Sequence, residues 1–290
     1  MAEKIRAAIF TNIDRDPDFS YTKKVVRTLL ACEIGVCADR RFRYNLGECK
    51  DEVDYHTYVE EMLRAANMIV VLGGDGSILE ISEKAATHGL PVLGINLGHL
   101  GFLTTLERDE VLKLTELARG NYTIDERMMA SVRITDNSVS HEFYALNDIT
   151  VTSVSRAKIG SFNVSCNEKT NINFKADGVV ISTPTGSTAY SLSAGGPVID
   201  TSTELFCMTP LCPHSLTSRP IVFSGDSVIT VSGKTGGAVS DVFVTSDGRS
   251  GVQISENARI TIRRSDCKMK LVRIGSDGFF DILSKKMYGI

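Results

Sequence analysis

The stretch from Met68 to Ser77 constrains the fold more than any other part of the chain. Met68-Ile-Val-Val-Leu72 is a continuous apolar run, the mark of a strand covered on both faces in a parallel sheet. Gly73-Gly-Asp-Gly76 follows at once, and then Ile78, Ile81, Ala85 and Ala86 recur at helical spacing. Similar signals flank it. Ile5 to Phe10 reads as a strand, and Ser20 as the cap of a helix bearing Val25, Val26, Leu29 and Leu30. Tyr58, Met62 and Ala65 mark one face of another helix, and Pro91 to Ile95 gives a further buried strand. This alternation predicts an α/β domain with a parallel sheet.

From about Tyr122 the texture changes. Ser131–Thr135, Phe143–Val154, Ser161–Cys166, Gly178–Thr183, Val228–Ser232, Val242–Ser246 and Ala258–Arg263 are alternating, β-branched segments. Turns are expected at Ser232-Gly233 and Asp247-Gly248. One helix is expected from Thr185 to Ser193, and another from Phe279 to Tyr288, where Phe280, Leu283 and Met287 align. The expected organisation is an α/β domain over 1–122 and a larger β-rich domain over 123–275. A helical segment over 276–290 then returns to the first domain.

Composition narrows the function. Across 290 residues the formal charge is -3 and 42% are apolar, which suits a folded chain with a core and argues against a polybasic nucleic-acid binder. No apolar run reaches the ~20 residues of a membrane span. The short apolar stretch ending at Phe10 is not expected to act as a signal peptide. Seven scattered cysteines without a C-x-x-C pair fit reduced thiols in the cytoplasm. Cys207, Cys212 and His214 come nearest to a metal cluster but lack the four closely paired ligands of a structural zinc site; no protein-held metal is expected.

Three stretches carry candidate chemistry. In Gly73-Gly74-Asp75-Gly76-Ser77 the glycines let main chain approach a phosphate at a helix N-terminus. Asp75 would repel phosphate on its own; it suits a sugar hydroxyl or a metal-bound phosphate, or else it caps its own helix. Next, Gly94-Ile-Asn96-Leu-Gly-His99-Leu-Gly101 follows the neighbouring strand. His99 has no orienting partner in the sequence and reads more readily as a backbone-bonded turn residue. The longest is Asp177 to Pro197, where an apolar strand runs into Thr183, Thr185, Ser187 and Thr188 and then Tyr190. Those hydroxyls either cap a helix or hold a ligand, and the Tyr190 ring is either core or a stacking face. Asn147-Asp148, between Leu146 and Ile149, marks a turn or a pair of groups reaching a ligand.

Taken together, Gly73-Gly-Asp-Gly-Ser77, Asn96-Leu-Gly-His-Leu-Gly-Phe-Leu103, Leu146-Asn-Asp148 and Asp177 to Pro197 resemble the NAD kinase family, in order and spacing across most of the chain. Thr183-Pro-Thr-Gly-Ser-Thr-Ala-Tyr190 discriminates most; 6-phosphofructokinases and lipid kinases have a similar double-glycine loop. The resemblance implies an α/β domain and a β-rich domain with the dinucleotide lying between them. It implies transfer of the terminal phosphoryl group of ATP, or of polyphosphate, to the 2′-hydroxyl of the adenosine ribose of NAD. Mg²⁺ or another divalent cation is expected with ATP, and homodimers or homotetramers are usual.

By the same resemblance Asp75 is the catalytic carboxylate. Gly74, Asp75, Gly76, Asn147, Asp148, Asp177, Thr188, Ala189, Tyr190, Ser193 and His214 contact NAD. Gly73, Gly76, Ser77 and Asn96 are candidates for phosphate. Asn147 and Asp148 would hold ribose hydroxyls, Thr188 to Tyr190 the adenine, and Asp177 the nicotinamide side. The competing readings are a lipid kinase sharing the loop, which would call for a membrane-binding segment, and a non-catalytic NAD(P) sensor, which would have no use for Asp75.

Overall fold

Five parallel strands form the frame of the first unit: β1 (Arg6–Thr11), β2 (Gly35–Asp39), β3 (Asp54–His56), β4 (Met68–Gly73) and β5 (Val92–Asn96). The computed structural model describes residues 4–136, 139–153, 159–234, 242–249, 251–255, 257–275 and 278–289; Val154, expected in a strand, lies outside them. The strand order is β3-β2-β1-β4-β5, continued by Met269–Arg273 and Thr123–Arg127, while Leu106–Glu107 also pairs with β5. All six residues of β4 are buried, as its apolar run demands.

Three helices follow the strand pattern: α1 (Ser20–Ala31), α2 (Val59–Ala65) and α3 (Asp75–Thr87). α1 buries Val25, Val26 and Leu29, and α3 buries Ile78, Ile81, Ala85 and Ala86. Each larger aliphatic side chain so covered is worth about 1.5–3 kcal/mol. Ser20 is the first residue of α1 and not its cap. The capping carboxylate is Asp16, which accepts the Tyr21 and Thr22 N–H groups at 3.1 and 2.8 Å. From β1 the chain turns toward β2 and β3 and then returns to the other side of β1 as β4. That reversal leaves a crevice at the carboxyl ends of β1 and β4, where open α/β sheets bind ligands.

The units comprise Met1–Glu126 with Met269–Ile290, and Arg127–Lys268, so they divide a few residues from the expected 122/123 and 275/276. Sheet pairing accounts for the difference. Met269–Arg273 joins the first sheet with Leu271 opposite Val92, carrying the Phe279–Tyr288 helix into the first unit.

Two six-stranded sheets make up the second unit, and their inward faces share one core that includes Phe162, Val179, Ile181, Phe206 and Ile260. Three local expectations change here. Phe143–Val154 is not one strand: Val139–Ala145 and Asp148–Ser153 belong to different sheets, and Leu146-Asn147 is the crossing point. Ser232-Gly233 is not a turn but lies inside the strand Ile229–Lys234, with Gly233 opposite Phe162. Thr185–Ser193 is not one helix: a tight turn over Thr185–Thr188 breaks at Ala189 before the single turn Tyr190–Ser193. Asp247-Gly248 is a turn as expected, with φ of 51° and 67°.

Candidate active site

In the first unit the candidate residues gather at the carboxyl ends of β4 and β5. Gly73 lies opposite Asn96 in register, and the Leu97 N–H donates to the Gly73 carbonyl at 2.8 Å, so the two glycine loops emerge side by side. Asp75 opens α3, whose preceding residue Gly74 supplies no side-chain cap. The Asp75 carboxylate does not turn back to cap the helix. Its Oδ2 accepts the Phe102 N–H at 2.8 Å and its Oδ1 the Leu103 N–H at 3.0 Å, two charge-assisted bonds that fix its orientation. Gly101 permits this approach, because a Cβ there would run into Asp75 Oδ1. The aspartate stays half-exposed.

The loop that holds Asp75 is itself held. Arg273 donates from Nη2 to the Phe102 carbonyl at 3.4 Å, from Nη1 to the Thr104 carbonyl at 3.3 Å, and from Nε to Asp125 at 3.1 Å. The Phe279 ring of the C-terminal helix lies 6.2 Å from Phe102, and Lys286 Nζ lies 4.2 Å from the Phe102 ring centroid. Sequence reasoning missed Arg273 and took Phe102 only as part of a motif, since nothing local in Leu-Val-Arg-Ile or Leu-Gly-Phe-Leu marks such a contact.

Around this loop, Asn12 at the end of β1 donates from Nδ2 to Ser77 Oγ at 3.1 Å. A Cβ at Gly74 or Gly76 would meet no protein atom within 4 Å, leaving both peptide units approachable. Asn96, a phosphate candidate, is 1% exposed. Its amide donates to Glu107 at 2.9 Å and accepts the Gly98 N–H at 2.9 Å, so its polar atoms shape the second glycine loop from within. Arg15 extends its guanidinium against Gly98, a cation that sequence reading passed over. His99 is exposed.

In the second unit the turn at Leu146-Asn147-Asp148 is tied to Asp247. Asp247 accepts the N–H groups of Leu146, Asn147 and Asp148 at 2.9, 2.8 and 3.1 Å. Thr183 bonds the same turn twice, through its N–H to the Asn147 carbonyl and its hydroxyl to the Leu146 carbonyl at 2.5 Å. Gly186 must be glycine, because a Cβ would meet the Asn147 backbone. Most of the hydroxyl run is spent internally: Ser187 Oγ donates to the Pro184 carbonyl at 2.7 Å, and Thr185 Oγ1 accepts from buried Arg127 at 3.4 Å. Thr188, half-buried, donates to the Thr185 carbonyl at 3.2 Å.

Two cavities share Tyr190, and the smaller lies beside that turn. One of about 300 Å³ is lined by Asn147, Asp148, Ala189, Tyr190 and Asp247. The other, of about 940 Å³, is lined by Asp177, Tyr190, Ser193, Cys212 and Phe243. Tyr190, 48% exposed, borders both, which suits a ring that stacks on a ligand better than core packing. His214 is exposed on the turn after Cys212 and Pro213, its N–H bonded to the Lys175 carbonyl. Burial, and then the charge of Asp247, push the Asp148 carboxyl up to about 6, against the Thr150 hydroxyl, which pulls it down. Burial likewise raises Asp247, while the three N–H groups and Arg249 oppose the rise.

A parallel sheet with a carboxylate on its glycine loop, in one chain with a β-rich unit bearing two cavities around a tyrosine, is the two-unit architecture that the resemblance of the Gly-Gly-Asp-Gly loop implies. Residues 7–122 match the ATP-NAD kinase N-terminal domain and residues 146–274 the ATP-NAD kinase C-terminal domain. The NAD kinase of Thermoanaerobacter sp. (strain X514) is 36% identical over 284 residues, covering 97% of this chain and 98% of that one. Among solved structures, an NAD kinase from Archaeoglobus fulgidus in complex with ATP superposes with a TM-score of 0.74 at 26% identity, covering 99% of this chain and all of that one. Yeast NADH kinase complexed with NADH shares the fold, with a TM-score of 0.85 at 22% identity over 99% of this chain and 88% of its own. The chain belongs to the ATP-NAD kinase family.

Proposed function

We propose that this chain transfers the terminal phosphoryl group of ATP to the 2′-hydroxyl of the adenosine ribose of NAD, giving NADP and ADP. The observation that carries the reading is the Asp75 carboxylate, half-exposed and fixed by the Phe102 and Leu103 N–H groups at the head of α3. Phosphoryl transfer passes through a loose transition state, so positioning and electrostatics supply most of the rate. Asp75 orients the hydroxyl along the donor's P–O axis. As the new O–P bond forms and the bond to the β-phosphate oxygen breaks, the hydroxyl proton passes late to Asp75. The N–H groups of Gly74 and Gly76, the Ser77 hydroxyl and the positive end of α3 take the donor phosphates.

Roles in the second unit follow its cavities. Asn147 and Asp148 take ribose hydroxyls, Thr188, Ala189 and Tyr190 the adenine, and Asp177 and Ser193 the nicotinamide side, with His214 at the rim. Magnesium would enter with ATP and would neutralise charge developing on the donor phosphates. Seven free cysteines support work in the reducing cytoplasm. We further propose a homodimer or homotetramer, which sedimentation distinguishes from a monomer.

The test is NADP formation from NAD with MgATP, GTP or polyphosphate as donor. NADP is expected with MgATP; purified protein that leaves NAD unphosphorylated with all three donors overturns the reading.

A further inference from the structure

At the β3 edge of the first sheet, separated from β4 by β2 and β1, stands a group of side chains with no part in the site above. Cys37 of β2 and Asp54 of β3 are partners in register. His56 follows Asp54 by two residues, so the alternation of a strand turns all three to one face. The Cys37 Sγ, an Asp54 carboxylate oxygen and a His56 ring nitrogen lie within 4.8 Å of one another, the only such trio of His, Cys, Asp or Glu among the described residues. His56 Nε2 and Asp54 Oδ2 are 3.3 Å apart. Two ligands on one tetrahedral zinc stand about 3.3–3.5 Å apart, given bonds of ~2.0–2.3 Å. That edge of the coordination shell already has its length.

Two further observations point to a cation. His56 Nε2 is closed off from solvent and makes no hydrogen bond, a costly state for a ring nitrogen unless a partner arrives. A positive group already presses on the other two ligands: Arg6 Nη2 donates to Asp54 Oδ2 at 2.7 Å and to Cys37 Sγ at 3.7 Å. Cys37 is buried, whereas the Arg6 and Asp54 side chains are about half-exposed and form the solvent side of the cluster. The guanidinium can swing out to water and open a way in. One thiol, one imidazole and one carboxylate make a mixed sulfur, nitrogen and oxygen set, which suits zinc and not the oxygen-preferring magnesium.

We propose that Cys37, Asp54 and His56 bind one zinc ion, with a water as fourth ligand and Arg6 displaced into solvent. The Cys37 thiol releases its proton to solvent as the S–Zn bond forms, and His56 binds through the lone pair of Nε2 with its ring neutral. No electron moves. The ion clips the three-residue edge strand β3 to β2. It lies apart from phosphoryl transfer, so the assignment stands or falls independently of NADP formation.

Titrating the metal-stripped full-length protein with Co²⁺, a spectroscopic stand-in for zinc, tests it. A near-ultraviolet thiolate-to-cobalt charge-transfer band is expected, saturating at one equivalent, reversed by zinc and unmoved by excess Mg²⁺. Cys37→Ser should abolish the band, and Cys212→Ser should leave it intact. His56→Gln should weaken binding about 100-fold or more, beyond the 10–100-fold typical of losing only a ligand's hydrogen-bond partner. Arg6→Met removes the competing cation and should tighten binding about tenfold. No band in the wild type, a band that survives Cys37→Ser, or no tightening in Arg6→Met overturns the site. Zinc-edge X-ray absorption on the wild type guards against variants that fail to fold. One sulfur at about 2.3 Å with nitrogen and oxygen at about 2.0 Å supports the cluster; no sulfur, or two or more, overturns it.

Discussion

Asp75 and Asp247 treat the backbone alike and stand in opposite surroundings. Each carboxylate accepts N–H groups from consecutive residues of another segment: Phe102 and Leu103 for Asp75, and Leu146, Asn147 and Asp148 for Asp247. A carboxylate has about four acceptor positions. Arg249 adds a fourth donor to Asp247 at 3.3 Å, and the Asp247 side chain is 0% exposed. Asp247 is saturated and holds a turn together. Asp75 has two donors and is half-exposed, so it keeps capacity for a ligand hydroxyl. One device thus serves as a structural pin where it is filled and buried, and as a candidate reactive group where it is not.

Exchanging Asp75 for Asn should break that contrast most sharply. The amide retains one acceptor for the loop but loses the ability to take a proton. Turnover is expected to fall about 10³-fold, a typical loss for a positioned acid–base group, while NAD binding by calorimetry stays within a few-fold. A kcat near that of the wild type would leave Asp75 with no part in the chemistry.

Asp247→Ala should do the reverse, costing the fold before the chemistry. Three backbone N–H groups and a guanidinium lose their buried partner, a loss of about 3–5 kcal/mol. Urea titration reads it directly. NAD affinity should fall with it, because the Leu146–Asp148 turn loses its anchor. Full stability in this variant would show that the turn is held elsewhere.

Asp148 sharpens the comparison through pH. Burial pushes its folded carboxyl up to about 6, above the ordinary 3.8. Between those values the folded chain keeps a proton that the unfolded chain has released, so this group's stabilisation is complete below pH 3.8 and is lost as pH rises through about 6. The whole loss is about 3 kcal/mol. Asp148→Asn cannot ionise. The stability of the wild type relative to this variant should therefore drop by about that amount from pH 4 to pH 7 in paired denaturation curves. NAD affinity of the wild type should rise across the same window, as the ribose gains an ionised acceptor. A difference that stays flat with pH would place the titration on another group.

The legible parts of the fold are those whose cause is local. Met68–Gly73 declares a buried strand by composition, and Gly73 to Ser77 declares the turn into α3, so the first sheet and Asp75 could be read directly. Asp247 could be read only as half of a turn, because its partners lie about 100 residues away. Asn147 was legible as an interruption, but its flanks Leu146 and Ile149 are apolar and hide the passage from one sheet to the other. The hydroxyls after Thr183 announced the end of a strand. Which of them bond inward is settled by the approach of Gly186 to Asn147, a packing fact that the sequence does not write.

Arg273 shows the same limit, lying 171 residues from the Phe102 carbonyl it holds, and it gives the smallest and most selective test. Arg273→Gln removes the guanidinium that joins Asp125 to the Phe102 and Thr104 carbonyls. The Phe102 and Leu103 N–H groups can still reach Asp75, but their position loosens. Sub-ångström drift of a positioned carboxylate should lower kcat about tenfold, or ~1.4 kcal/mol, with KM for NAD within about twofold. Arg273→Lys should recover part of that loss, since one ammonium can serve a carbonyl but cannot span the fork. A role confined to sheet stability would instead lower the melting temperature of both variants and leave kcat at 25 °C unchanged. The loop behind Asp75 would then be held by the Phe279 packing and the Thr105–Val272 bond at 2.5 Å.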